Sequence, residues 1–101
     1  MPKLIISHGD DSREVPLNSG DTLGRVPGNA VQIKIAEASH KHCVFTEEGG
    51  VWWIEDLGSS NGTLVNGRRV TKFELQDGDT VQVGVASLRF LMSEVEEEPE
   101  V

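Results

Sequence analysis

An all-β fold, an antiparallel β-sandwich, is predicted by three observations. No helical period of apolar residues persists anywhere along the 101 residues. Short β-branched and aromatic runs alternate with Gly, Asn, Asp and Ser clusters, about every 8 to 12 residues. Two Asn-Gly pairs, Asn61-Gly62 and Asn66-Gly67, carry the strongest short hairpin signal, because both residue types tolerate positive φ cheaply.

Each element follows in order. Leu4-Ile5-Ile6 is the first strand, and His8 to Ser12 is a turn cluster. Arg13 to Leu17 returns, with Pro16 marking a sheet edge because proline cannot donate to a ladder. Asn18 to Asp21 turns, Thr22 to Arg25 is a short strand, and Pro27-Gly28-Asn29 is a loop. Val31, Ile33 and Ile35 alternate with Gln32 and Lys34, so one face is buried. Cys43 and Phe45 point inward on the next strand, and Glu47 to Gly50 is a hairpin turn. Trp52 and Ile54 then face the core, which leaves Trp53 partly exposed. Leu64-Val65 and Arg68-Arg69-Val70 flank Asn66-Gly67, a two-residue hairpin turn. Phe73 and Leu75 lead to the tight turn Gln76 to Asp79. Val81, Val83, Leu88, Phe90 and Met92 complete the core, with a bend at Gly84.

The chain is sized for one domain with one core. Composition is that of a globular protein, 37% hydrophobic and 26% charged. Formal net charge is −8, from nine Lys and Arg against seventeen Asp and Glu. Five of those acids lie between Glu94 and Glu100, leaving nine against twelve, or −3, for the rest. Residues 93–101 are expected to be a disordered acidic tail or a linker cut short, making the chain one module of a longer protein. No basic footprint for nucleic acid is visible. No apolar run approaches the ~20 residues of a membrane span, and Met1 to Ser7 reads as a strand rather than a leader. Cys43, the single cysteine, has no internal disulfide partner, so a reducing, cytoplasmic setting is expected.

The stretch Asp56 to Gly67 contains the most informative loop. Gly58 to Gly62 packs hydroxyls, an amide and small residues into a few positions. Read alone, it is either a well-formed turn between strands or a loop that presents N–H groups to an anion. Two other polar spots match it: Gly24-Arg25, and Ser39-His40-Lys41-His42.

These three pieces, followed by Leu75-Gln76-Asp77-Gly78-Asp79, resemble in order and spacing the motif set of the forkhead-associated (FHA) domain. The resemblance spans residues ~3 to ~92, so residues 1–92 are expected to form the domain. It implies a sandwich of about eleven short strands, with loops at one end forming a phosphothreonine-peptide site. By the resemblance, Arg25 is the main phosphate ligand, and its rigid fork suits a doubly charged ester. Ser39 and Ser60 supply hydroxyls to the phosphate, and Asn61 bonds the main chain of the peptide. Gly24, His42, Ser59, Gly62, Thr63, Asn66 and Gly67 form the structural frame, with His42 bracing the loops. His40 is a departure, since many family members carry arginine there. Histidine titrates near neutral pH, so His40 is expected to make part of phosphate binding pH-dependent. Lys41, Glu37, Arg68 and Arg69 are rim candidates, with residues near Gly84 to Ser87, for selectivity beyond the phosphate.

Other chemistries find little support. His40, His42 and Cys43 on an extended segment alternate faces and lack a fourth ligand, so no metal site is expected. No cofactor loop and no Ser-His-acid set is present, so the chain does not read as an enzyme. Asp77 and Asp79 in one tight turn are not a calcium loop. The expected partner is a phosphothreonine-bearing protein, a serine/threonine kinase or its substrate, and not nucleic acid or membrane. The competing reading is a phosphate-independent interaction or assembly domain with a weakened pocket.

Overall fold

The computed structural model describes residues 2–92; Met1 and the expected acidic tail, 93–101, lie outside them. Eleven strands follow one another: β1 (Lys3–His8), β2 (Asp11–Pro16), β3 (Asp21–Gly24), β4 (Val31–Gln32), β5 (Cys43–Glu48), β6 (Val51–Asp56), β7 (Thr63–Val65), β8 (Arg68–Val70), β9 (Lys72–Leu75), β10 (Thr80–Val83) and β11 (Ala86–Leu91). They form two sheets, ordered β2-β1-β11-β10-β7-β8 and β4-β3-β5-β6-β9.

Period-2 alternation builds the core between the sheets. Leu4, Ile6, Val81, Val83, Leu88 and Phe90 face inward from the six-stranded sheet. Leu23, Cys43, Phe45, Trp52 and Ile54 face them from the five-stranded sheet. Trp52 and Phe90 meet across the gap, with ring centroids 6.2 Å apart at 53°. That tilted contact is favourable for aromatic quadrupoles. Trp53 is half-buried on the outer face, under the Lys72 ammonium at 5.2 Å from its ring centroid. Pro16 lies on β2, an edge strand, as its missing N–H requires.

Several boundaries differ from the sequence reading. The first turn is only Gly9-Asp10, because β1 and β2 pair out to His8 and Asp11. The β5–β6 hairpin turns at Gly49-Gly50, with both Glu47 and Glu48 still in β5. Val31, Ile33 and Ile35 are all buried, but the strand ends at Gln32. Ile33 and Ile35 reach the core from a segment of turns, in which Ile35 N–H bonds the Ile33 carbonyl and Ala38 N–H the Ile35 carbonyl. Their alternation marks side-chain burial, not a ladder. β4 also pairs parallel to β3, the one parallel pairing of named strands among the described residues.

Strand directions gather one set of connections at one end. β3 ends there at Gly24, β5 starts there at Cys43, and β6 ends there at Asp56. β10 ends there too, because a Cβ on Gly84 would stand 2.4 Å from the Cβ of Glu37 in the β4–β5 connection. Ser7 pairs with Ser87, so the β1–β2 turn lies at that same end.

Candidate functional site

Arg25 follows β3 directly. Its backbone N–H donates to the Ser39 carbonyl at 2.9 Å, which binds the β3–β4 and β4–β5 connections together. Its Nε donates to the Ala38 carbonyl at 3.0 Å. One edge of the guanidinium is thereby fixed, and the terminal nitrogens remain to meet an anion. Ser39 Oγ accepts from the Ser60 N–H at 3.1 Å, joining the β6–β7 loop to the same point. An accepting hydroxyl keeps its own proton free to donate. Asn61 Nδ2 donates to the Glu37 carbonyl at 2.9 Å, and its Oδ1 stays open on an exposed side chain. Arg25, Ser39, Ser60 and Asn61 thus come from three connections that touch one another.

Three buried or half-buried groups hold those connections. His42 is fully buried, and both ring nitrogens are used. Nδ1 accepts from Ser39 N–H at 3.0 Å, so Nε2 carries the proton that goes to the Gly62 carbonyl at 2.9 Å. One N–H accepted and one donated define the Nε2–H tautomer. Asp56 organises the β6–β7 loop as an Asx-type turn. Oδ2 accepts from Gly58 and Ser59 N–H, both at 3.0 Å. Oδ1 accepts from Ser59 Oγ at 2.6 Å and Thr63 Oγ1 at 2.8 Å. Burial alone would push this carboxyl up; the four hydrogen bonds outweigh it and hold Asp56 below the usual carboxylate value. Ser59 Oγ also accepts from Gly62 N–H at 2.9 Å. Asn29 completes the frame, its Nδ2 donating to the Val26 and His40 carbonyls, each at 2.8 Å. Its Oδ1 accepts from Thr22 Oγ1 at 2.9 Å.

Two glycines are required in these loops, Gly24 by space and Gly62 by its positive φ. A Cβ on Gly24 would stand 2.0 Å from the His40 carbonyl oxygen. Gly62 adopts φ 88°, and a Cβ there would stand 2.6 Å from Arg69 Nε. Arg69 therefore lies over the loop beside Asn61. His40 and Lys41 are exposed next to Ser39. Among the described residues, Arg25, Lys41 and Arg69 have no carboxylate partner; the one ion pair there, Lys3–Glu14 at 3.4 Å, lies elsewhere.

The remaining candidates sit apart. Asn66 and Gly67, at φ 52° and 85°, make the expected hairpin turn at the far end of β7. Asn66 bonds Asp79 and Thr80 there. Arg68 opens β8 opposite Val65, away from the loops. Glu37 touches the site through its carbonyl, while its side chain packs on Gly84. Sequence reasoning assigned no role to Asp56 or Asn29. The Asp-x-x-Ser spacing could have flagged Asp56. Nothing local could have flagged Asn29, whose partners lie 3, 7 and 11 residues away in three segments. Among the described residues, no group of three or more His, Cys, Asp or Glu side chains is placed to hold a metal ion. No helix there is long and apolar enough to cross a membrane.

The chain and its fold are similar to known proteins. The chain is 40% identical over 90 residues to the glycogen accumulation regulator GarA of Mycolicibacterium smegmatis, covering 87% of this chain and 57% of that protein. It spans between 17% and 62% of the curated relatives it matches. The fold superposes with TM-score 0.84 and 26% identity on Mycobacterium tuberculosis EmbR in complex with a low-affinity phosphopeptide, over 95% of this chain and 26% of that one. A second structure, solved in a study of phosphothreonine-dependent FHA domain interactions, superposes with TM-score 0.81 and 26% identity, over 92% and 99%. Residues 21–84 match the FHA domain family, and the chain belongs to that family.

Proposed function

We propose that this chain is a phosphothreonine-peptide recognition module that mediates phosphorylation-dependent association with a partner protein. Residues 1–92 form the module. Arg25 is the main phosphate ligand, Ser39 and Ser60 add hydroxyl and main-chain donors, and Asn61 holds the peptide backbone. His40 and Lys41 extend the positive rim, with Arg69 on the far side of the loop. The partner is a serine/threonine kinase or a kinase substrate. The lone Cys43 supports a reducing, cytoplasmic setting, and the module binds without catalysing a reaction.

One observation supports the reading: the Arg25 N–H to Ser39 carbonyl and Ser60 N–H to Ser39 Oγ bonds join the three connections that carry the guanidinium and the two hydroxyls. Charge-assisted hydrogen bonds contribute roughly 1.5–3 kcal/mol each, so a few of them suffice for micromolar affinity. Titration of an oriented phosphothreonine peptide library, then of selected peptides into Arg25→Ala, tests it. Loss of the guanidinium should cost about 2–5 kcal/mol of binding, with the fold retained. Affinity that ignores both the substitution and dephosphorylation would instead favour a phosphate-independent interaction domain.

A further inference from the structure

We propose that a groove beside the loops is a second contact for the same partner, binding acidic residues that flank the phosphothreonine; this rests on the phosphopeptide reading of the loops. The groove has a volume of about 650 Å³. It lies between the β1–β2 hairpin and residues 32–34. Its origin is in the strand lengths. β4 contributes two residues, so the five-stranded sheet stops short beside β2, the edge of the other sheet. Arg13 bridges the two edges by donating Nη2 to the Gln32 carbonyl, 19 residues on.

The lining has the character of a peptide site. Ile6 and Ile33, both buried against the core, form an apolar floor. Arg13, Lys34 and His8 line the walls with Ser12 and Gln32. Asp11 is the one carboxylate in the lining. Neither Arg13 nor Lys34 pairs with a carboxylate among the described residues. Two cations without a carboxylate partner there, around an apolar floor, favour a ligand that brings carboxylates on an extended chain.

Position ties the groove to the phosphate loops. Gln32 Nε2 donates to the Arg25 carbonyl at 3.0 Å, and Ile33 N–H donates to the Gly24 carbonyl at 2.9 Å. The groove wall therefore backs directly onto the proposed phosphate ligand. An extended peptide advances about 3.3 Å per residue, so a flank of about four residues reaches past Arg25 into the groove. Exposed ion pairs are individually weak, and two of them change affinity roughly three- to tenfold.

The test uses a phosphothreonine peptide selected from the library in three forms: bare, flanked on both sides by four glutamates, or flanked by four alanines. Calorimetric titration should show glutamate flanks tightening binding roughly three- to tenfold over alanine flanks. The gain should vanish in Lys34→Glu, an exposed site, while the bare peptide binds both proteins equally. It should persist in Arg89→Glu, an equal charge change on the outer face of the six-stranded sheet. Equal affinity for glutamate and alanine flanks, or a gain that survives Lys34→Glu, overturns the groove assignment. A bare peptide whose affinity does not depend on its phosphate overturns the phosphothreonine reading, and that outcome is read separately from the flanks.

Discussion

His42 and Gly62, twenty residues apart, are joined by a 2.9 Å hydrogen bond from Nε2 to the Gly62 carbonyl inside the core. The same ring accepts from Ser39 N–H, so one buried side chain sets the spacing between two of the connections proposed to bind phosphate. His42→Phe keeps an aromatic ring but leaves a buried donor and a buried acceptor unmet. The expected cost is about 2–5 kcal/mol in urea unfolding. Phosphopeptide affinity should fall with it, because Ser39 loses its anchor. Stability within about 0.5 kcal/mol of the parent would show that the brace is dispensable.

Asp56 should make loop stability depend on acid. Its folded value is depressed, so the contribution is complete above the ordinary carboxylate value of 3.8. It is then lost as pH falls through the lower folded value. Asp56→Asn should destabilise by about 1–3 kcal/mol at neutral pH. The gap between the two proteins' Tm values should close in acid. A gap that stays constant down to about pH 2 would remove the charge from the account.

His40 has an exposed ring and an anchored backbone, since its carbonyl accepts from Asn29. The ring is exposed beside Ser39, at the rim proposed for the phosphate. His40→Ala should therefore weaken phosphopeptide binding roughly two- to fivefold in calorimetric titration. An unchanged affinity would exclude His40 from the mechanism.

Cys43 should be inert in the folded protein. Burial, then the nearby Asp56 carboxylate, push its thiol up to about 12, against a smaller opposing hydrogen bond with Thr63. A thiolate is needed for reaction. Thiol reagents at pH 8 should label the native chain only at the rate at which it unfolds, and label it rapidly in urea. Fast labelling without denaturant would place Cys43 in an accessible site.

Much of the architecture was legible because β structure writes a local code. Alternation placed Phe45, Trp52, Ile54, Val81 and Phe90 inward, and Pro16 marked an edge. Asn66-Gly67 predicted its own hairpin, since the φ of a two-residue turn depends on the two residues that make it. The motif set located Arg25, Ser39, Ser60 and Asn61 along the chain, and their chemistry followed from side-chain type.

What joins those residues could not be read along the chain. Asn29 bonding the His40 carbonyl, Asn61 bonding the Glu37 carbonyl and His42 bonding the Gly62 carbonyl are contacts between segments 11, 24 and 20 residues apart. Arg69 reaching Gly62 while its neighbour Arg68 turns away is likewise a matter of which face each occupies in a paired ladder. Residue type and spacing decided what each side chain can do. Only the packing of one sheet on the other decided which of them share a place, because a hydrogen bond depends on distance in space and is blind to distance in sequence.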